Sequence, residues 1–451
     1  MRSLKILKTM NKSIIHKTPI DAGVVKKKIE ASGLEKVGLA SIRELVRLVN
    51  EIEKETGDKY IRMEMGVPGL PPSHYGVDGE IEALRKGVAS IYPMIEGEEI
   101  LKKEISRFVK NFINIDVNPK NCLPTVGSMQ GAMASFLVSC RRDIQKDTTL
   151  FIDPGFPVQK QQHKVLGLKY ETFDVYNYRG DKLKAKLESY LEKGNISTIL
   201  YSNPNNPSWI CFTEKELQTI GELANKYDVI IMEDLAYFAM DFRKDLSKPG
   251  VSPYQATVAN YTGNYILLIS SSKSFSYAGQ RIGMLVISNE LFDRRFPDLK
   301  RYFKTDGFGY SMVYGAVYSL SSGTSHSAQY GLAAMLKAAN DGKFDFVESV
   351  KEYGERAKIM KKLFTDNGFK IVYDMDDNQP LADGFYFTFS YPGINGVDLL
   401  EELLYYGIGS IALITTGSER AEGLRACVSQ VQREQFPVLE ERLRIFNQHH
   451  K

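Results

Sequence analysis

Leu267-Leu268-Ile269-Ser270-Ser271-Ser272-Lys273-Ser274-Phe275-Ser276-Tyr277-Ala278-Gly279-Gln280-Arg281-Ile282-Gly283 is the stretch from which the rest of the chain is read. Its apolar start, reaching back into Tyr265-Ile266, predicts a buried strand. Small hydroxyl residues follow, then one lysine and, eight positions later, one arginine before a glycine. Hydroxyls and a guanidinium are good partners for a phosphate. A lysine at the end of a buried strand is a candidate Schiff-base former, because desolvation and nearby cations lower its pKa. A lysine beside a phosphate site suggests pyridoxal 5'-phosphate (PLP). Taken alone, the stretch also fits an ordinary surface lysine beside serines, so the neighbouring sequence has to choose.

Upstream, apolar runs alternate with helical periodicity. Strands are expected at 149–152, 168–173, 197–201, 229–232 and 265–270, with helices at 156–166, 181–193 and 213–226 between them. Short apolar strands separated by helices predict a mainly parallel sheet covered on both faces. Polar and Gly/Pro residues gather where these strands end, which is where open α/β sheets bind ligands. The earlier turn Pro124-Thr125-Val126-Gly127-Ser128-Met129-Gln130-Gly131 feeds an apolar helix. Free N–H groups at such a helix start bind phosphate, and a plain strand–helix turn fits the same residues. It is neither a P-loop nor a GxGxxG fingerprint.

Residues 1–38 are polar and basic without strong periodicity; Arg2, Lys5, Lys8, Lys12, Lys17, Lys26, Lys27 and Lys28 read as a solvated arm. Residues 41–55 predict a helix with Ser41 as its N-cap, and 60–65 a strand running into the Gly66-Val67-Pro68-Gly69 loop. Residues 80–113 predict two helices split at 91–97. Residues 310–340 predict a long helical region, interrupted at 321–327. Beyond it the style changes. Helices at 343–366, 396–405 and 432–447, with strands at 370–374, 384–390, 408–414 and 424–429, predict a smaller α+β unit.

With 451 residues the chain is long enough for two domains. A net charge of +3 gives no electrostatic argument for nucleic acid or membrane. No run approaches the ~18 apolar residues of a membrane span, and the N-terminus lacks a signal-peptide pattern. The four cysteines form no CxxC pair and read as free thiols of a cytoplasmic protein. The six histidines show no ligand spacing, so no metal is expected.

Asn206, Asp234, Lys273 and Arg281 each lie just beyond a predicted strand of one sheet, or one turn later. With them stand the blocks NPNNP (203–207), EDLAY (233–237), SSSKSFSYAGQRIG (270–283), VGSMQGA (126–132), YPMIEG (92–97) and GLRACVS (423–429). In order and spacing the sequence resembles the fold-type I PLP enzymes, specifically the class I/II aminotransferase family. The resemblance covers most of residues 40–447.

It implies a large domain with a seven-stranded sheet at 66–340. A small domain would be built from the N-terminal arm and first segment (1–65) and the C-terminal part (341–451). It implies that Lys273 forms the internal aldimine and then moves the α-proton, that Asp234 pairs with the pyridinium nitrogen, and that Asn206 and Tyr237 bond the phenolic oxygen. Ser128, Met129, Ser270, Ser272 and Arg281 would hold the phosphate, and Phe156 would stack on the ring. Tyr92 would reach the phosphate in a neighbouring subunit, which implies a homodimer with shared sites. Arg425 would bind the substrate α-carboxylate, with Gly66 near the substrate. The implied activity is amino transfer from an L-amino acid to a 2-oxo acid, by a ping-pong cycle. C–S lyase, decarboxylase and a non-catalytic PLP-fold protein are the alternatives. Two departures bear on the substrate pocket: Ser208-Trp209 stands where relatives carry Thr-Gly, and the loop around Thr415 lacks a proline. Tyr302, Tyr310, Tyr314 and Tyr318 read as core or dimer contacts.

Overall fold

The apolar runs of the central region become strands buried on both faces, apart from the partly exposed edge strand at 169–174. The computed structural model describes residues 17–451. Its large sheet contains β1 (Cys122–Thr125), β2 (Thr148–Asp153), β3 (Lys169–Asp174), β4 (Ile196–Ser202), β5 (Ile230–Leu235), β6 (Tyr265–Ser270) and β7 (Gly283–Ile287). The spatial order is β1-β7-β6-β5-β4-β2-β3. Side chains alternate across a strand, so Leu267 and Ile269 of β6 enter one core while Ile266 and Leu268 enter another. Helices Glu99–Ile113, Glu214–Tyr227 and His326–Asn340 cover the first face, and Gly127–Ser139 covers the second. Each large aliphatic side chain buried there contributes about 1.5–3 kcal/mol. Truncating Leu268 to alanine would cost about 2–5 kcal/mol.

The pairs β2–β3, β2–β4, β4–β5 and β5–β6 are parallel, as expected. β7 was not among the strands expected from the sequence, and it runs antiparallel to both β6 and β1. A short, wholly apolar run such as 283–287 has no period that separates a strand from a buried helix segment. Its direction matters for function. The chain leaves β6 at Ser270, makes the Lys273–Arg281 excursion and re-enters the same edge at Gly283. Ser270 pairs with Gly283, and Gly283 with Thr125, so the three strand ends stand in one row.

A third core joins the two ends of the chain. Leu45, Leu48 and Ile52 pack with Leu399, Leu403, Leu443 and Phe446. Helix Ile42–Thr56 is started by a reciprocal cap, Ser41 accepting from Glu44 N while the Glu44 carboxylate accepts from Ser41 N. Strand Ile61–Arg62 pairs with Ile408–Gly409. Beside it, Lys370–Ile371, Tyr386–Ser390, Leu424–Cys427 and Ile411–Ala412 form an antiparallel four-stranded sheet. Trp209, Tyr237 and Met240 reach into this third core from the loops of the large sheet.

Several boundaries differ from expectation. The first strand is only two residues long, and 408–414 breaks into two short strands and the 3-10 turn Leu413–Thr416. The helix expected from 343 starts at Glu352. Residues 22–31 form a helix capped by Asp21, whose Oδ1 accepts from Val24 N at 3.0 Å. Val25 is the one fully buried side chain in it, which explains its faint periodicity. Arg2, Lys5, Lys8 and Lys12 lie outside the described residues. Lys27 and Lys28 both pair with Glu55. Cys122, Cys140, Cys211 and Cys427 are unpaired. Among the described residues no helix is long and apolar enough to cross a membrane.

A chain of charges ties the hairpin Met375–Asp376/Gln379–Pro380 to the large sheet. Glu216 accepts from Arg179 Nε and Nη2 at 2.8 Å each. Arg179 Nη1 lies 3.2 Å from Asp376 Oδ1, and Asp376 Oδ2 accepts from Arg243 Nη2 at 2.9 Å. Arg243 in turn forks onto Asp241.

Candidate active site

Ser270 ends β6, and its Oγ accepts from Ser272 N at 3.1 Å, starting the single turn Ser271–Ser274. That turn lifts Lys273 off the sheet edge. Ser271 Oγ donates to Ile282 O and Ser274 Oγ to Phe238 O, so the turn is held from both sides. Lys273 is half-buried. Its Nζ has no hydrogen bond or ion pair among the described residues. Burial pulls its pKa down to about 8; Arg281 and Arg425 act in the same direction, while Cys427 and Asp234 oppose it. An amine titrating so close to neutrality is available as a nucleophile and as a proton carrier.

Asp234 lies on β5 opposite Leu268 of β6. Its Oδ2 accepts from Gln159 Nε2 at 2.9 Å and its Oδ1 from Ala236 N at 3.1 Å. Burial lifts its pKa to about 6, and the two hydrogen bonds and Lys273 hold that rise in check. It therefore stays mostly ionised at neutral pH. Gln159 was not among the expected site residues. Phe156 caps the helix Pro157–Leu166, so Gln159 sits in that helix's first turn and aims its amide at Asp234. The signal was its place one turn after Phe156.

The row Thr125–Gly283–Ser270 sets up an anion cradle. Helix Gly127–Ser139 starts there, with Ser128 and Met129 in its first turn. First-turn N–H groups lack intrahelical acceptors and carry the positive end of the helix dipole. The Arg281 guanidinium lies directly against this turn. A Cβ on Gly127, at φ +64°, would stand 2.6 Å from Arg281 Nη2, and one on Gly283 would stand 2.7 Å from Ser128 N. Arg281 O also accepts from Gly127 N at 2.9 Å. Ser270 and Ser272 border the same edge. Backbone donors, hydroxyls and a guanidinium converging at one point suit a phosphate dianion.

Arg425 approaches from the four-stranded sheet and is only 2% exposed. Nη2 donates to Glu64 O at 2.6 Å and Nη1 to Asn206 Oδ1 at 3.2 Å. Nε is buried and has no partner among the described residues. A buried, unpaired guanidinium N–H carries a substantial desolvation cost unless a ligand accepts from it. Asn206 keeps its amide N–H2 group without a partner among the described residues. Tyr237 is buried, and its hydroxyl meets that of Tyr386 at 2.6 Å. Gly66 lies against the same hydroxyl: a Cβ there would stand 2.2 Å from Tyr386 Oη. Tyr386 was also missed from the sequence.

Trp209 does not line open space. It is fully buried, at φ +65°, with its indole edge-on to Tyr237 and Tyr386. Thr415 Oγ1 donates to Ala412 O. Gly155 N donates to Thr416 O at 2.9 Å, so the Thr415 loop touches the loop that carries Phe156. Tyr92 stands apart, 90% exposed. Tyr302, Tyr310, Tyr314 and Tyr318 are exposed rather than core.

One edge of this mainly parallel sheet thus carries an unpartnered lysine, a buried carboxylate and an anion cradle. The family-wide sequence profile for "Aminotransferase class I and II" matches residues 60–379. The chain belongs to that family and is an aminotransferase. A probable aspartate aminotransferase of Methanocaldococcus jannaschii is 25% identical over 382 residues, 84% of this chain and 91% of that protein. An LL-diaminopimelate aminotransferase of Halothermothrix orenii is 28% identical over 257 residues, 55% of this chain and 62% of that protein. Among solved structures, an aspartate aminotransferase variant from Thermus thermophilus superposes with a TM-score of 0.72 at 16% identity, covering 94% of this chain and 98% of that one. YbdL from Escherichia coli, described as having a methionine aminotransferase function, gives 0.72 at 15% identity, covering 91% and 99%. At those identities the structures attest to the fold.

Proposed function

We propose that this aminotransferase binds PLP through Lys273 and transfers the amino group of an L-amino acid to a 2-oxo acid. The observation that carries the reading is the placement of Lys273. Its amine is unpartnered and partly desolvated, and it shares one sheet edge with the Asp234 carboxylate and the Arg281 cradle. When bound, PLP supplies an electron sink for the charge left when the α-proton departs.

The chain's own residues do the rest. The first turn of helix Gly127–Ser139, with Ser128 and Met129, and the groups of Ser270, Ser272 and Arg281 hold the phosphate. Asp234, kept in place by Gln159, presents a carboxylate to the ring nitrogen. Phe156 covers one ring face, and Asn206 and Tyr237 donate to the ring oxygen. Arg425 offers its buried, unpartnered Nε–H to the substrate carboxylate, near Gly66. This fixes the α-carbon beside Lys273, whose amine takes and returns the α-proton. The transfer proceeds in two half-reactions, the donor leaving as its 2-oxo acid before the acceptor enters. The small unit (1–65 with 341–451) closing on the large one (66–340) would exclude water from this step.

We further read the protein as a cytoplasmic homodimer in which Tyr92 serves the neighbouring subunit's phosphate site. The free thiols support the compartment, and the exposure of Tyr92 supports the shared site. The test is a PLP titration followed by visible absorbance, then addition of amino acids one at a time. Wild type should show the band of the bound cofactor and release one equivalent of 2-oxo acid without an acceptor. Lys273→Ala should lose the band, and its turnover should fall by at least about 10²–10⁴-fold. Release of pyruvate and ammonia from a β-substituted amino acid as the sole reaction would overturn amino transfer. A wild-type protein that never develops the band would overturn PLP.

A further inference from the structure

We propose that Tyr386 is a positioning residue that passes the state of the Arg425 guanidinium to the Tyr237 hydroxyl; this rests on the reading of Arg425 and Tyr237 given above. Tyr386 lies on strand Tyr386–Ser390, where Thr388 stands opposite Arg425 and Tyr386 opposite Cys427. Residues two apart share a face, so Tyr386 and Arg425 are diagonal neighbours on one side of the sheet. The guanidinium carbon sits 4.6 Å from the Tyr386 ring centroid. The Tyr386 hydroxyl lies 2.6 Å from that of Tyr237. Trp209 packs edge-on against both rings, at centroid distances of 5.4 Å to Tyr237 and 6.1 Å to Tyr386. The backbone of Gly66 closes over the Tyr386 hydroxyl with no room for a Cβ. Both tyrosines are buried, Tyr237 4% and Tyr386 2% exposed.

Two hydroxyls at this distance share one hydrogen bond, and either can donate. A cation over the Tyr386 ring draws charge from its oxygen and makes it the stronger donor. Tyr386 then donates its hydrogen bond to the Tyr237 oxygen, which leaves the Tyr237 O–H free to donate to a ligand. A hydrogen bond accepted by a hydroxyl strengthens the one it donates. With no carboxylate on Arg425, Tyr237 is a strong donor to the cofactor's ring oxygen. When a carboxylate neutralises Arg425, Tyr386 donates less strongly and so does Tyr237. Occupancy of the carboxylate fork is thereby read at the ring oxygen through Tyr386 and Tyr237, alongside the shorter path through Asn206, whose Oδ1 accepts from Arg425 Nη1.

The test compares wild type with Tyr386→Phe, which keeps the ring and removes the hydroxyl. The first measurement is a pH titration of the visible band of the holoenzyme, with and without acetate, using chloride as the ionic-strength control. In wild type, acetate should raise the midpoint. In Tyr386→Phe the midpoint without acetate should already be about one pH unit higher, the equivalent of one neutral hydrogen bond. Acetate should then move it by less than half the wild-type shift. Identical titrations in the two proteins, with and without acetate, overturn the proposal. The second measurement needs no cofactor. With tyrosine labelled at 13Cζ, acetate should move the Tyr237 resonance of the unloaded wild-type protein and leave it in place in Tyr386→Phe. An equal movement in both overturns the relay. A missing visible band in wild type overturns the PLP reading alone, because the resonance experiment still decides the relay.

Discussion

Asp234 carries the sharpest energetic consequence of the site. Its carboxylate is buried, and its pKa is raised from an ordinary 3.8 to about 6. The folded protein therefore binds this proton more tightly than the unfolded chain, and the group's contribution to stability is lost as pH rises from about 4 to 6. Above that window the cost is on the order of 3 kcal/mol. Asp234→Asn should therefore make the cofactor-free protein more stable at pH 7 and about equal to wild type near pH 4, read by urea unfolding, while its amino transfer collapses. Equal stabilities across that range would refute the account. Arg425→Lys replaces a planar fork by a point charge and removes the bonds to Asn206 and Glu64 O. The KM for the amino donor should rise about tenfold to a hundredfold, matching the loss of one or two charge-assisted bonds. Lys273, Asp234, Asn206 and Arg281 were legible in the sequence because each sits in a block of distinctive residues at a strand end. Gln159 and Tyr386 were not. Gln159 looks like any polar residue on a helix, and Tyr386 lies in the apolar run Tyr386-Phe387-Thr388-Phe389, where an aromatic residue reads as core.

The elements divide in the same way. Strands β2, β4, β5 and β6 follow apolar runs bounded by turn residues, while β3 is a mixed, half-exposed edge strand; all were expected within a residue or two, except that β5 extends to Leu235. The antiparallel β7, which returns Arg281 to the cradle, gave no periodic signal. The two-residue pairing of Ile61–Arg62 with Ile408–Gly409 joins segments far apart in sequence, and no local pattern announces such a contact. The charge chain through Arg179, Asp376 and Arg243 was equally invisible, since each partner reads alone as a solvated charge. Asp376→Asn should expose its weight. Removing one member of a buried ion pair leaves the others uncompensated, at a cost of about 3 kcal/mol. The expected result is a lower urea midpoint, with faster amide exchange across residues 372–383. Unchanged exchange there would mean that packing alone holds the hairpin.

For the whole molecule, Tyr92 together with Ile91 and Met94 forms an exposed apolar surface. If Tyr92 completes the partner's site, Tyr92→Ala and Lys273→Ala chains refolded together should complement each other. Each mixed dimer would hold one site with both residues intact, so activity should return although each variant alone is impaired. No recovery on mixing would place Tyr92 outside the neighbouring site. Trp209 ties the molecule together in another way. It holds a left-handed backbone conformation, which costs a bulky residue about 1–3 kcal/mol, and its indole fills the space where a Cβ on Gly384 would stand, 2.1 Å from the ring carbons. Positions 209 and 384 are therefore sterically coupled: a side chain at 384 has no room while the tryptophan fills that space. Replacing Trp209 by glycine would open a hole beside Gly384 that a side chain at 384 could enter. Across descendants of this sequence the two positions should change together.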